Sequence, residues 1–122
     1  MIRSTSLAAA LALSLAASAQ SAKDFAEANA RADMQPKDKL TSAYARSWEA
    51  FNNEQHLDDR DGCYDKGQGD LTQILEIDAS GKVVGYFADK DDGRTRCWKS
   101  TYLGVVFPAP PFDPFYYRMK MQ

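Results

Sequence analysis

The chain has 122 residues, with 15 basic and 17 acidic side chains, one histidine and two cysteines. That length bounds it to a single ordinary domain. Its charges are mixed along the sequence with no basic block, which argues against nucleic acid or an anionic membrane surface as a partner.

Residues 1–19 read as an export signal. Arg3 supplies the positive start, Leu7 to Ala17 is an apolar run, and Ala17-Ser18-Ala19 fits the small-x-small cleavage pattern, placing the cut after Ala19. The run falls short of the roughly 20 residues that a bilayer span takes. A cleaved signal, with no membrane span left behind, is therefore expected, and an uncleaved anchor is the alternative. The expected location is periplasmic or secreted. Loss of Arg3 moves the net charge from −2 to −3. Residues 20–37 are polar and alanine-rich, with Phe25 as their one aromatic. They read as a flexible leader that forms at most a frayed helix over 24–32. The folded domain is expected over 38–122.

Asp38 to Asn53 predicts the first helix, with Asp38 as its N-cap. Leu40, Tyr44, Trp48 and Phe51 follow at spacings of four, four and three, one apolar stripe and hence a core face. The polar segment from Asn52 to Asp70 holds His56 and a dense run of aspartates. An EF-hand register with Gly62 at loop position six would put Leu57 at one and Gln68 at twelve, neither of which fits. The second run, Asp89 to Gly93, would put Ala88 at one and Lys90 at three, and also fails. Both runs read as solvated turns. No cofactor and no metal are expected.

Asp70 to Ala88 predicts a β-hairpin. Leu71, Leu75 and Ile77 share one face of the first strand, and Asp78 to Lys82 turns on Gly81. Val83 to Ala88 is the return strand, where Gly85 suggests a bulge or a close backbone approach. Asp92 to Leu103 predicts the second helix, capped by Asp91 or Asp92 and ended by Gly104. Cys97, Trp98, Thr101 and Tyr102 form its less polar side. An oxidising compartment and two cysteines point to one disulfide, Cys63–Cys97, with two buried thiols as the alternative.

The last stretch holds four of the five prolines, Pro108, Pro110, Pro111 and Pro114, which favour an extended approach to a final strand. From Phe115 the residues alternate. Phe115, Tyr117, Met119 and Met121 lie on the inward face, and Tyr116, Arg118, Lys120 and Gln122 on the outward one. Helix, strand, strand, helix, strand gives an α+β fold in which two helices pack on one face of a three-stranded antiparallel sheet. The expected sheet order is 2-1-3, with a right-handed crossover.

The strand from Leu71, the turn with Asp78 and Gly81, Lys82-Val83-Val84, the helix, and Phe107-Pro108-Ala109-Pro110 before an aromatic strand resemble the C-terminal domain of TonB-like proteins. The resemblance covers Asp70 to Gln122, about half of the chain beyond the signal. Small exported bacterial proteins of unknown function with a cysteine in the second helix look similar too. The resemblance implies a non-catalytic periplasmic α/β module whose last strand takes up an extended peptide by strand addition. An energy transducer of that family needs an uncleaved membrane anchor and a long proline-rich span. This chain is read with a cleavable signal and a short leader, and its first helix lacks the family's tyrosine-proline start. What carries over is the domain and a binding habit, not energy transduction.

Enzyme chemistry has little to stand on. The sequence holds neither Gly-x-Ser-x-Gly nor His-Glu-x-x-His, and no carboxylate pair is singled out by spacing. His56 reads as a surface histidine and both cysteines as bridged. The expected function is capture of an envelope protein or extended peptide at the edge of the last strand, through Tyr116, Arg118 and Lys120. The alternative is a small exported inhibitor of a cell-envelope hydrolase, with Leu57 to Asp70 as the segment to present. The proline spacings at Pro108–Pro111 and Pro111–Pro114 read as a rigid tether rather than a ligand motif.

Overall fold

A computed structural model describes residues 21–122. The export-signal reading of residues 1–19 lies outside them. Three helices, α1 (Phe25–Met34), α2 (Lys39–Gln55) and α3 (Gly93–Tyr102), accompany three strands, β1 (Leu71–Ile77), β2 (Val83–Ala88) and β3 (Phe115–Met121). A single 3-10 turn covers Cys63–Lys66. The sheet is antiparallel throughout, in the order β2-β1-β3. No described helix is long and apolar enough to cross a membrane.

Each helix begins on an aspartate whose side chain accepts the backbone N–H three residues on: Asp24 from Glu27, Asp38 from Thr41, Asp92 from Thr95. At α3 the cap is reciprocal, because Thr95 Oγ1 also accepts from the Asp92 N–H at 3.0 Å. The hairpin turns on Gly81 at φ +95°, and the register slips by one residue between Glu76 and Ile77. That slip is the bulge at Val84–Gly85 that an interior glycine suggested.

The larger core lies between the sheet and helices α2 and α3. It joins Tyr44 and Trp48 of α2 and Trp98 and Tyr102 of α3 to Leu71, Leu75 and Ile77 of β1. Phe107 and Phe115 complete it from the proline-rich approach and β3. Trp48 is its centre, stacked on Tyr117 with ring centroids 3.8 Å apart and on Phe107 at 4.8 Å. The stripe of α2 differs from expectation at one end. Leu40 is exposed, and the first ring of the stripe to meet the sheet is Tyr44, edge-on to Phe115 at 4.8 Å.

The largest correction concerns residues 20–37. Far from a flexible leader, they contain α1, which packs on the other face of the sheet. Ala28 and Ala32 are buried there against Ile74 and Tyr116, with Phe25 and Phe87 at the margin. Alanines let a helix approach a sheet closely while contributing little to an apolar pattern. Two helices covering one face is thus an incomplete description, since the second face carries a helix of its own. Glu76 of the central strand is buried on that side and accepts the Ala22 N–H at 3.1 Å.

The disulfide Cys63–Cys97 is formed, with Cα atoms 5.5 Å apart. It ties the 3-10 turn to α3. Beside it, buried Arg94 donates to Asp92 Oδ2 and to the carbonyls of Gln68 and Gly69 at 2.8–3.1 Å. The polar segment between α2 and β1 is therefore pinned at its middle and at its end before β1.

Candidate functional site

The outer edge of β3 is built by alternation. In an antiparallel pair, successive residues turn their backbone groups toward the partner strand and away from it by turns. Tyr116 turns outward, because its N–H donates to Gln35 Oε1 at 2.6 Å and its carbonyl accepts from Gln35 Nε2 at 2.9 Å. Arg118 and Lys120, two and four residues on, share that orientation. The central strand agrees. Thr72, opposite Lys120, spends its backbone N–H and C=O on Asp89 at the β2 side. Among the described residues, no partner meets the outward backbone groups of Arg118 or Lys120.

Side chains on this strand sort by face. Tyr116 is buried under α1, where its hydroxyl accepts from Arg31 at 2.9 Å. Arg118 follows it, donating to Asn29 Oδ1 at 2.7 Å and pairing with Asp33 at 2.8 Å. The Arg118 guanidinium holds the Asp33 carboxyl below its ordinary value. Of the three residues expected to present a binding edge, only Lys120 keeps an exposed side chain. Tyr116 and Arg118 serve to dock α1. Both side chains are thereby engaged with α1, while the strand itself stays at the edge of the sheet.

On the opposite face, Tyr117, Met119 and Met121 border a cleft of about 440 Å³ between β3, α2 and the segment after α2. Thr41, Ala45, Glu49 and Asn53 fall four apart on α2, a small and polar stripe turned toward the strand. Its first two residues line a second groove of about 240 Å³, and both hollows touch Tyr117 and Arg118. The far wall of the cleft is aromatic and acidic. Asp58 Oδ1 accepts from Asn52 Nδ2 and from the Tyr102 hydroxyl, each at 2.7 Å. Its backbone carbonyl accepts the Trp98 indole N–H at 3.0 Å. Tyr64 stands half-exposed with its ring edge-on to Trp98 at 5.0 Å. Burial, with the negative charges of Glu49 and Asp58 behind it, pushes the Tyr117 hydroxyl up to about 12.

The remaining candidates fall elsewhere. His56 is the exposed, left-handed C-cap of α2, with Nδ1 4.0 Å from Asp59. The aspartates that invited a metal reading serve the fold. Asp61 accepts the Thr101 hydroxyl at 2.5 Å, Asp89 accepts the Thr72 N–H at 3.0 Å, and Asp91 pairs with Arg96. Among the described residues, no three His, Cys, Asp or Glu side chains gather as a metal-binding group. Sequence reasoning missed Gln35, Glu49 and Asp58. The four-residue spacing from Thr41 to Asn53 was the available signal for Glu49; Gln35 had none.

No protein-family model, curated protein or solved structure matches the chain.

Proposed function

We propose that the protein is a non-catalytic binding module of the bacterial cell envelope that captures an extended peptide as a fourth strand against β3. One observation carries this reading: the outward backbone groups of Arg118 and Lys120 border an open cleft, and the next such position is already met by an amide. Gln35 supplies at Tyr116 the same donor and acceptor pair that an added strand would supply further along. Main-chain bonds of this kind give affinity, and a hollow for alternate side chains gives specificity. The TonB-like expectation contributes the mode of binding and nothing about the partner's identity.

The test is selection of a displayed random library of ten-residue peptides on the purified, disulfide-bonded protein. Enriched peptides should lose binding when alternate backbone nitrogens are methylated. They should also lose it on Lys120→Pro, which removes one outward N–H and no bond to β1. Peptides that bind equally well after both changes would overturn strand addition.

A further inference from the structure

Resting on the strand-addition reading, we infer that the captured segment carries a lysine or arginine whose cation enters the cleft between Glu49 and Asp58. A strand laid outside Arg118 and Lys120 alternates its side chains between the two faces of the sheet, as β3 does. One set falls toward α1, and the other falls over Tyr117 and Met119 into the cleft.

The cleft side is negative. Four charged residues line it, Glu49, Asp58, Arg118 and Lys120, and by strand alternation the two basic side chains share the face of Tyr116, toward α1. The Arg118 head group is held by Asn29 and Asp33 on α1. Lys120, two residues on, shares that face by alternation and keeps an exposed side chain. The charges that α2 and the segment after it bring to the cleft are both carboxylates, Glu49 and Asp58. Both of the bonds that the Asp58 carboxylate accepts fall on Oδ1, which leaves Oδ2 as an acceptor among the described residues.

The walls suit the rest of such a side chain. A lysine or arginine stem is apolar and its head is cationic, so it gains from lying along aromatic and thioether surface. Tyr64, Trp98 and Tyr117 supply rings, and Met119 and Met121 supply adaptable side chains. An acidic or purely aliphatic side chain would meet repulsion there, or leave the carboxylates without a counter-charge.

The experiment uses the same ten-residue library on the full folded protein, followed by fluorescence anisotropy with the enriched, fluorescein-labelled peptides. The expected result is a lysine or arginine at one position of the alternating register. Replacing it by norleucine should weaken binding about five- to tenfold. On Glu49→Gln the same replacement should matter less than twofold, and added salt should narrow the difference on the unchanged protein. Peptides that lose affinity on backbone methylation yet show no basic preference would overturn this inference and leave strand addition standing. Peptides indifferent to backbone methylation, or no enrichment at all, would overturn both.

Discussion

Gln35 meets Tyr116 as one strand meets the next: its side-chain amide takes the tyrosine's N–H and fills its carbonyl, at 2.6 and 2.9 Å. The residue that ends α1 thus closes the first outward position of β3. Gln35→Ala should cost about 1 to 2 kcal/mol, the net worth of two part-buried hydrogen bonds. Amide hydrogen exchange at Tyr116 should quicken and the urea midpoint should fall. An unchanged exchange rate at Tyr116 would mean that the amide does not guard this edge.

Arg118 and Lys120, alike on the outward face by pattern, should behave differently when reversed in charge. Arg118→Asp puts a carboxylate beside Asp33 and takes a donor from Asn29, so α1 should loosen at a cost of about 1 kcal/mol. Lys120→Asp should stay within about 0.5 kcal/mol, as surface substitutions usually do. Chemical denaturation of the two single variants separates them. Equal losses would contradict the docking role of Arg118.

The sheet was legible because its signals are strong. A glycine turn between two β-rich runs and a clean alternation after Pro114 specify three strands and their order. The helix stripes of Tyr44 and Trp48, and of Trp98 and Tyr102, likewise announce one covered face. The second face announced itself more quietly. Ile74 is out of phase with Leu71, Leu75 and Ile77, and Tyr116 is a large ring on a face read as solvated; both are buried under α1. Those two residues implied a cover that the alanines of α1 were too small to advertise. The cleft was not legible, because it joins Glu49, Asp58 and Met119 across three separate segments, and no local period records such a meeting.

Gly81 is fixed by its neighbour across the hairpin end. Its carbonyl accepts the Phe107 N–H at 2.8 Å, and a Cβ built on it would lie 1.9 Å from the Phe107 carbonyl oxygen. The left-handed φ of +95° adds its own penalty for any side chain. Gly81→Ala should therefore destabilise the protein by about 3 kcal/mol or more. The Phe107 ring stacks on Trp48, so the loss should also appear as a change in tryptophan fluorescence of the folded state. A thermal midpoint within one or two degrees of the parent would contradict the contact.

The Cys63–Cys97 bridge closes a loop of 34 residues in sequence separation, worth about 4 kcal/mol in the chain-entropy account. That is a large part of the roughly 5 to 10 kcal/mol that holds a domain of this size together. Urea titrations with and without reductant should differ by a stability of that order. The segment from Leu57 to Asp70 should lose exchange protection first, since the bridge ties its middle to α3. Equal midpoints would remove the bridge from the list of principal supports.

Alkaline pH gives a separate test of the aromatic core. Burial raises the hydroxyls of Tyr44 and Tyr117 to about 12, from the 10 of an unfolded chain. Between those values the folded state binds more protons than the unfolded one, so stability must fall as pH rises. It should be level below about pH 10 and decline steadily from there to about pH 12. Tyr102 and Tyr86, raised further by burial, should ionise only as the chain unfolds. Tyr117→Phe removes one titrating group, so its urea midpoint should decline less steeply over the same range. If tyrosinate absorbance instead rose fully by pH 10 while the protein stayed folded, these rings would be open to solvent and the stacking on Trp48 would be wrong.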